Sequence, residues 1–376
     1  MNKNWGTFCY VHIPFCESKC KYCRFASVWN IQSLRIAKYV DSLSEEIKSS
    51  SFLSRDWLES IYFWWWTPST LTIDQIETII NTLRNKYGFQ ENIEISLEST
   101  PNKIGESYIK QLKEIGVNRL SIWVQSLDER TLKEIWRGDK GDIISALHII
   151  REVGFENVSL DFIIGLPYAK KWQVKKDIEY ILDTFWFIKH ISVYMLEDYY
   201  ESDTEEKSKF HNVTYPDDWD NLWIKPEEYI DEYREVSDFL NKNWFFKYEI
   251  SNFAQPWYTC KHNRAYWNHN DILAFWLWAS WFVSWERYTN SENFQEYYLR
   301  KNISKELLSQ EDIFLEKIMF WLRTSWVSID LTEKLDQKKI YNFIEDWFLF
   351  FDTEKNLLKV EDKAIVFLDY IIKEII

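Results

Sequence analysis

The chain reads as an α/β protein of the parallel type, followed by a smaller C-terminal α/β domain. Two observations predict this. Apolar strand-like runs and amphipathic helical runs alternate six times, over about 190 residues, which implies parallel βα units. Several strand-like runs end on or hold a polar residue, as at Glu98, Gln125 and Asp161. The strand ends of such folds are where enzymes place their chemistry. From Leu299 onward the chain becomes helical and acidic, which sets a second unit apart. We expect three parts: residues 1–200, an extension over 201–299, and a small domain over 300–376. A winged-helix arrangement is one option for the last.

Each element has its own signal. Residues 7–13 form an apolar run. Leu34 to Ser49 places Ile36, Val40, Leu43 and Ile47 at helical steps. Ser60 to Phe63 is the second strand. Thr72 opens a helix to Tyr87, with Gln75 three residues on as in a capping box, and Gly88 closes it. Ile93 to Leu97 is the third strand, and the helix from Asn102 ends at Gly116. Arg119 to Val124 is the fourth. The helices Asp128–Ile135 and Ile143–Val153 follow, the second closed by Gly154. Val158 to Ile164, the helix Val174–Phe185, and His190 to Leu196 complete the series. Residues 201–209 are charged and aperiodic, a surface connection. Pro226 to Lys242 is an amphipathic helix, Phe246 to Asn252 a further strand, and Phe348 to Val360 a hairpin.

Composition excludes several classes. The net charge is −14 and the pI about 5.1, which argues against a nucleic-acid partner. The apolar run from Leu273 to Trp285 is too short and too interrupted to span a bilayer. Residues 1–6 lack a signal-peptide pattern. Five cysteines, three of them clustered, do not read as a disulfide framework. A cytoplasmic, reducing setting is the expectation.

The clustered cysteines carry the chemistry. Cys16, Cys20 and Cys23 follow the first strand with spacing Cys-x3-Cys-x2-Cys. Soft thiolates select zinc or an iron–sulfur cluster. Zinc in a closed site takes four ligands, and no Cys or His follows closely. Three thiolates can hold three corners of a 4Fe–4S cluster and leave one iron open. That is what radical S-adenosylmethionine (SAM) chemistry needs, since the amino and carboxylate groups of SAM chelate the open iron. The run Tyr10-x-His12-Ile13-Pro14-Phe15-Cys16-x3-Cys20-x-Tyr22-Cys23 resembles the cluster loop of oxygen-independent coproporphyrinogen III oxidase and its relatives. The oxidase carries a further cysteine two residues after the last ligand; here that residue is Phe25. In this the chain is similar to the HemW-type heme chaperones, and oxidase activity is not expected.

The resemblance implies a radical SAM partial (β/α)6 TIM-like barrel, a 4Fe–4S cluster, SAM and heme. It also implies a heme acceptor protein and a reductant protein as partners. It assigns SAM contacts to Tyr10, Trp65, Trp66, Thr67, Glu98, Gln125, Arg137 and Asp161. The guanidinium of Arg137 suits a carboxylate in bidentate geometry. Without the resemblance these are ordinary polar barrel-mouth residues, and Tyr10 a core aromatic. His262-Asn263-x2-Tyr266-Trp267 is a second block, a His followed by aromatics. It suits an axial heme ligand against a stacking wall; the alternative is a buried structural His. Cys260 reads as a buried thiol, with a thiolate ligand as the alternative. The runner-up function is the oxidase itself. A non-catalytic cluster- or heme-binding protein with a blocked SAM pocket is the third reading.

The composition is unusual in one respect. The chain has 8 Gly and 22 Trp, where average usage of Gly near 7% gives about 26. Many Trp stand where a turn or helix end wants Gly. Trp64-Trp65-Trp66-Thr67-Pro68 aligns with a family Gly-Gly-Gly-Thr-Pro turn. Trp244 follows a helix, and Pro256-Trp257 reads as a Pro-Gly turn. Trp123, Trp136, Trp276, Trp278, Trp285, Trp321, Trp326 and Trp347 also fall at family glycines. The pattern fits a gene in which UGA encodes glycine but is translated here as Trp; the alternative is a truly Trp-rich chain. Trp267 matches a family Trp.

Overall fold

The computed structural model describes residues 6–23, 28–29, 33–51, 57–64, 68–196, 219, 225–277, 279–301, 303–324 and 326–376. All six expected strands form: β1 (Thr7–His12), β2 (Leu58–Trp64), β3 (Phe89–Ser99), β4 (Arg119–Gln125), β5 (Val158–Ile164) and β6 (His190–Met195). They lie side by side in chain order and pair in parallel. The crossovers are helical: α1 (Ser33–Ser49), α2 (Ile73–Tyr87), α3 (Glu106–Glu114), α4 (Glu129–Glu134), α5 (Lys140–Val153) and α6 (Gln173–Thr184). The expected capping box opens α2. Thr72 Oγ1 accepts from the Gln75 amide at 3.3 Å, and Gln75 Oε1 accepts from the Thr72 amide at 3.0 Å.

The period-2 alternation of the strands sorts side chains by chemistry. Val11, Ile61, Phe63, Ile95, Leu97, Leu120, Ile122, Leu160, Phe162, Ile191 and Val193 are buried in the main apolar core. Their alternates are Tyr10, Ser60, Tyr62, Ser96, Glu98, Ser121, Ser159, Asp161, His190 and Ser192. The lumen of this barrel is therefore polar rather than a packed apolar core.

After β6 come α7 (Pro226–Lys242), β7 (Phe246–Lys247), β8 (Asn252–Ala254), α8 (Lys261–Trp267), β9 (Ile272–Phe275), β10 (Ser280–Val283), β11 (Glu286–Thr289), α9 (Phe294–Tyr298) and β12 (Ser304–Leu307). The sheet order is β12-β11-β10-β9-β1-β2-β3-β4-β5-β6-β8-β7. The strand beside β1 is thus β9, parallel to it, with Phe8 opposite Ile272. The sheet keeps two edges, so the barrel is open. The single strand expected over Phe246–Asn252 is instead two short antiparallel pieces. The Glu249 carboxylate accepts from the Ser251 amide at 3.2 Å and from the Asn252 side chain, which folds the segment back. The expected boundary at 300 falls inside this sheet, because Ser304–Leu307 pairs with Glu286–Thr289.

A second apolar core begins at Ile318. It is built from α10 (Gln310–Arg323), β13 (Trp326–Ser328), α11 (Ile329–Thr332), α12 (Gln337–Glu345), β14 (Leu349–Asp352), β15 (Leu357–Val360) and α13 (Leu368–Ile375). Helix, strand, two helices and a hairpin, in that order, is the winged-helix succession. Among the described residues no helix is long and apolar enough to cross a membrane. The expected surface connection over 201–209 lies outside the described residues.

Candidate functional site: a cysteine cleft and a barrel-lumen cavity

The three clustered thiols share one small cleft. Cys16, Cys20 and Cys23 are half-buried and line it with Tyr22, Trp123, Trp136 and Arg137. The loop is held locally by the Cys23 amide, which donates to Cys20 O at 3.0 Å. It is tied to the end of α4 by Lys21, whose Nζ meets Glu134 Oε1 at 2.5 Å. Burial works against the Arg137 charge, but Tyr22, Cys20, Cys16 and Cys23 outweigh it and hold the guanidinium pKa above its ordinary value. Its Nη2 donates to Trp123 O at 3.3 Å. Among the described residues no three His, Cys, Asp or Glu side chains form a ready-made metal site. The donor set nonetheless suits a cluster: three thiols on one loop, none of them in a disulfide, beside the Arg137 guanidinium. Space does not suit a nucleoside as well. The cleft is about 80 Å³, enough for about two or three waters, and ligand pockets run to several hundred. The indoles of Trp123 and Trp136 form part of its wall.

Of the expected SAM contacts, Glu98 and Asp161 share the charge environment of Tyr62, and Tyr10 that of Glu98. Arg137 stands with the cysteines. Tyr10 and Glu98 face the lumen, where Tyr62 Oη donates to Glu98 Oε1 at 3.2 Å. Asp161 sits in a cage of hydroxyls, accepting from Ser121 Oγ at 3.1 Å and Ser159 Oγ at 3.4 Å, and burial raises its pKa. Gln125 ends β4 just past a bulge: Trp123 pairs with Asp161 and Gln125 with Phe162, leaving Val124 extra. Gln125 has a left-handed φ of 69°, and its buried Oε1 has no hydrogen-bond partner among the described residues. A strained residue with an unmet acceptor at a strand end is the mark of a binding position. Trp65, Trp66, Thr67 and Phe25 lie outside the described residues.

The larger space is the lumen itself, about 640 Å³. Its walls come from both margins of the open sheet, Asn252 on one side and Ile272, Phe282 and Arg287 on the other, with α8 and α10 flanking. His262 is placed here by α8. It is buried, and Ser60 Oγ lies 3.0 Å from its Nδ1. The tautomer with Nδ1–H toward Ser60 Oγ is the one that would leave the lone pair on Nε2. Burial first, then the Arg119 charge, pushes the His262 pKa down to about 3, so the ring stays neutral. Tyr266 lies tilted against Phe320 of α10 at 5.1 Å, and Trp267 meets it edge-on at 5.7 Å. His269 Nε2 meets Glu316 at 2.8 Å, and Arg287 bonds the other oxygen of that carboxylate. Cys260 is fully buried, and burial pushes its thiol up to about 12.

Comparison with known proteins places the chain. It is 30% identical over 338 residues to the heme chaperone HemW of Lactococcus lactis, covering 88% of this chain and 84% of that protein. It is 32% identical over 287 residues to the heme chaperone HemW of Bacillus subtilis, covering 75% and 72%. This chain belongs to the HemW family. The pattern of the Radical SAM superfamily matches residues 10–181 of it. Coproporphyrinogen III oxidase (HemN) of Escherichia coli has the same fold, with a TM-score of 0.80 at 19% identity, over 98% of this chain and 89% of that one. For a HemW-family chain, sequence reading found the cysteine loop and His262 but missed the partners of His262. Ser60 lies 202 residues away and carries no local signal. His269, Glu316 and Phe320 were missed for the same reason.

Proposed function

We propose that this chain is a heme chaperone. It holds a 4Fe–4S cluster on Cys16, Cys20 and Cys23, carries heme in the lumen cavity with His262 as axial ligand, and passes heme to an acceptor protein in the cytoplasm. The observation that carries this is His262 itself: a neutral imidazole, oriented by Ser60, in an aromatic-walled cavity of about 640 Å³. Fixing one ring nitrogen by a hydrogen bond is how proteins aim the other at a metal. Tyr266 and Trp267 supply apolar ring surface for a macrocycle. The curated relatives are named as heme chaperones, which supports the same reading. When bound, the cluster supplies one-electron chemistry and takes its electron from a reductant protein. The residues that the family resemblance assigns to SAM are Tyr10, Trp65, Trp66, Thr67, Glu98, Gln125, Arg137 and Asp161. Arg137 is the one set to receive its carboxylate.

The test is a heme titration followed by Soret absorbance, on wild type and His262→Ala, with a coproporphyrinogen assay on the reconstituted protein. Binding lost in the variant, with no decarboxylated product, is expected. Unchanged binding removes His262 as ligand, and product formation overturns the chaperone in favour of an oxidase.

A further inference from the structure

Among the described residues, thirteen non-glycine residues have a left-handed φ, and seven are tryptophan: Trp136, Trp172, Trp244, Trp257, Trp276, Trp285 and Trp347. Tryptophan is 22 of 376 residues, so an even share would be about one of thirteen (13 × 22/376). Bulky L residues avoid this region because Cβ clashes with the backbone; glycine does not.

The local geometry at each site is one that glycine serves. Helices α3 and α5 end on Gly116 and Gly154. In both, the glycine amide bonds the carbonyl three residues back, and the next amide bonds the carbonyl five before it, Val117 to Leu112 and Phe155 to Ile150. Helices α4, α7 and α12 end in the same pair of bonds, with Arg137 to Leu132, Phe245 to Leu240 and Phe348 to Phe343. There the left-handed residue is Trp136, Trp244 or Trp347. This is the Schellman ending, which wants glycine. Trp257 is third in the turn Gln255–Tyr258, closed by a 3.1 Å bond after Pro256, where a type II turn wants glycine. Ser284 and Trp285, both left-handed, make the two-residue connection between β10 and β11, a type I′ site. Trp276 has φ 118°. The side chains also lack a reason to be indole at the surface. Trp257 is 97% exposed and Trp347 73%. Trp219, by contrast, is buried and donates from Nε1 to Glu134 at 3.0 Å.

We infer that the functional polypeptide carries glycine at positions 136, 172, 244, 257, 276, 285 and 347, and that removing the indoles at 136 and 123, which both wall the cysteine cleft, opens it into a pocket of ligand size. The second half rests on the proposed SAM reading. Trp123 and Trp136 wall the cleft on the face that Arg137 shares with the thiols. Without their indoles the guanidinium and the cysteines face one continuous space. At Trp276 the indole stacks on His12 at 4.3 Å and meets Tyr39 at 5.6 Å. Its removal opens room behind β1.

Two measurements test this separately. Peptide mass spectrometry of the protein purified from its source organism is expected to give glycine masses at these positions and tryptophan at 219 and 267. Tryptophan at the left-handed positions overturns the inference. Equilibrium dialysis of SAM against anaerobically reconstituted protein is then compared for the chain as written and for Trp123→Gly/Trp136→Gly. At least tenfold tighter binding in the variant is expected. Equal binding, with the cluster loaded in both, overturns the pocket while leaving the glycine assignment standing.

Discussion

The cysteine cleft and the lumen cavity are complementary in what they have and lack. The cleft concentrates donors, three thiols and a guanidinium, in about 80 Å³. The cavity offers about 640 Å³, with Tyr10, Tyr62, Tyr266, Trp267, Phe282 and Phe320 among its walls and His262 as the residue proposed to bind heme. A site built to grip an inorganic cluster needs ligands and little room. A site built to carry a large flat ligand and give it up needs room and few bonds. On the proposed reading, the contrast would separate a resident group from a cargo.

The largest effect expected is on the cleft. Cys20→Ala should abolish the 4Fe–4S charge-transfer absorbance while leaving heme titration unchanged; loss of both would merge the two sites into one. His262→Ala should weaken heme binding about 100-fold, roughly 2.7 kcal/mol, with cluster loading intact. Glu249 sharpens the cavity side. Burial raises its pKa to about 7, above the unfolded value of 4.5. The native state therefore holds a proton that the unfolded chain releases between these values, and the stability from it is lost as pH rises toward 7. Glu249→Gln keeps the acceptor for Asn252 and removes the charge. It should stabilise the protein at pH 8 by at most about 3 kcal/mol and have little effect at pH 4.5, read from urea midpoints. Ser60→Ala should cost about tenfold in heme affinity by freeing the ring of His262. The smallest effect is an absence. With His262 pushed down to about 3, protonation does not compete for Nε2 above pH 4. Heme affinity should then stay level from pH 7 to 5, where an ordinary histidine would lose it.

The alternation of strands and helices was legible because each element is set by neighbouring residues. Thr72 and Gln75 announce their helix, and Gly154 ends its own. The Phe246–Asn252 segment was misread because the Glu249 carboxylate bends it, a contact that hydrophobic period does not encode. Cys16, Cys20 and Cys23 were legible through spacing on one loop. The pairing of His262 with Ser60 was not, since it joins a helix to a strand across the lumen. That Arg137 stands beside the thiols while Glu98 and Asp161 share the surroundings of Tyr62 also lay beyond the sequence, which gives order along the chain but not depth in the barrel. The surplus of tryptophan was visible in composition, but only backbone φ at Trp172 added that position to the others.

The pairing of β1 with β9 has a consequence for how the chain assembles. Phe8 and Ile272 are partners 264 positions apart (272 − 8). Contacts of such long range form late and slow folding. As the chain leaves the ribosome, β1 can gain β2 early, but its other margin stays bare until residue 275 has emerged. During that interval the thiols just beyond β1 stand on an unfinished sheet, and the lumen lacks the wall that β9 to β11 provide. The order of synthesis thus leaves the cysteine loop accessible before the lumen cavity exists, so on the proposed reading a cluster could be installed before the nascent protein has a place for heme.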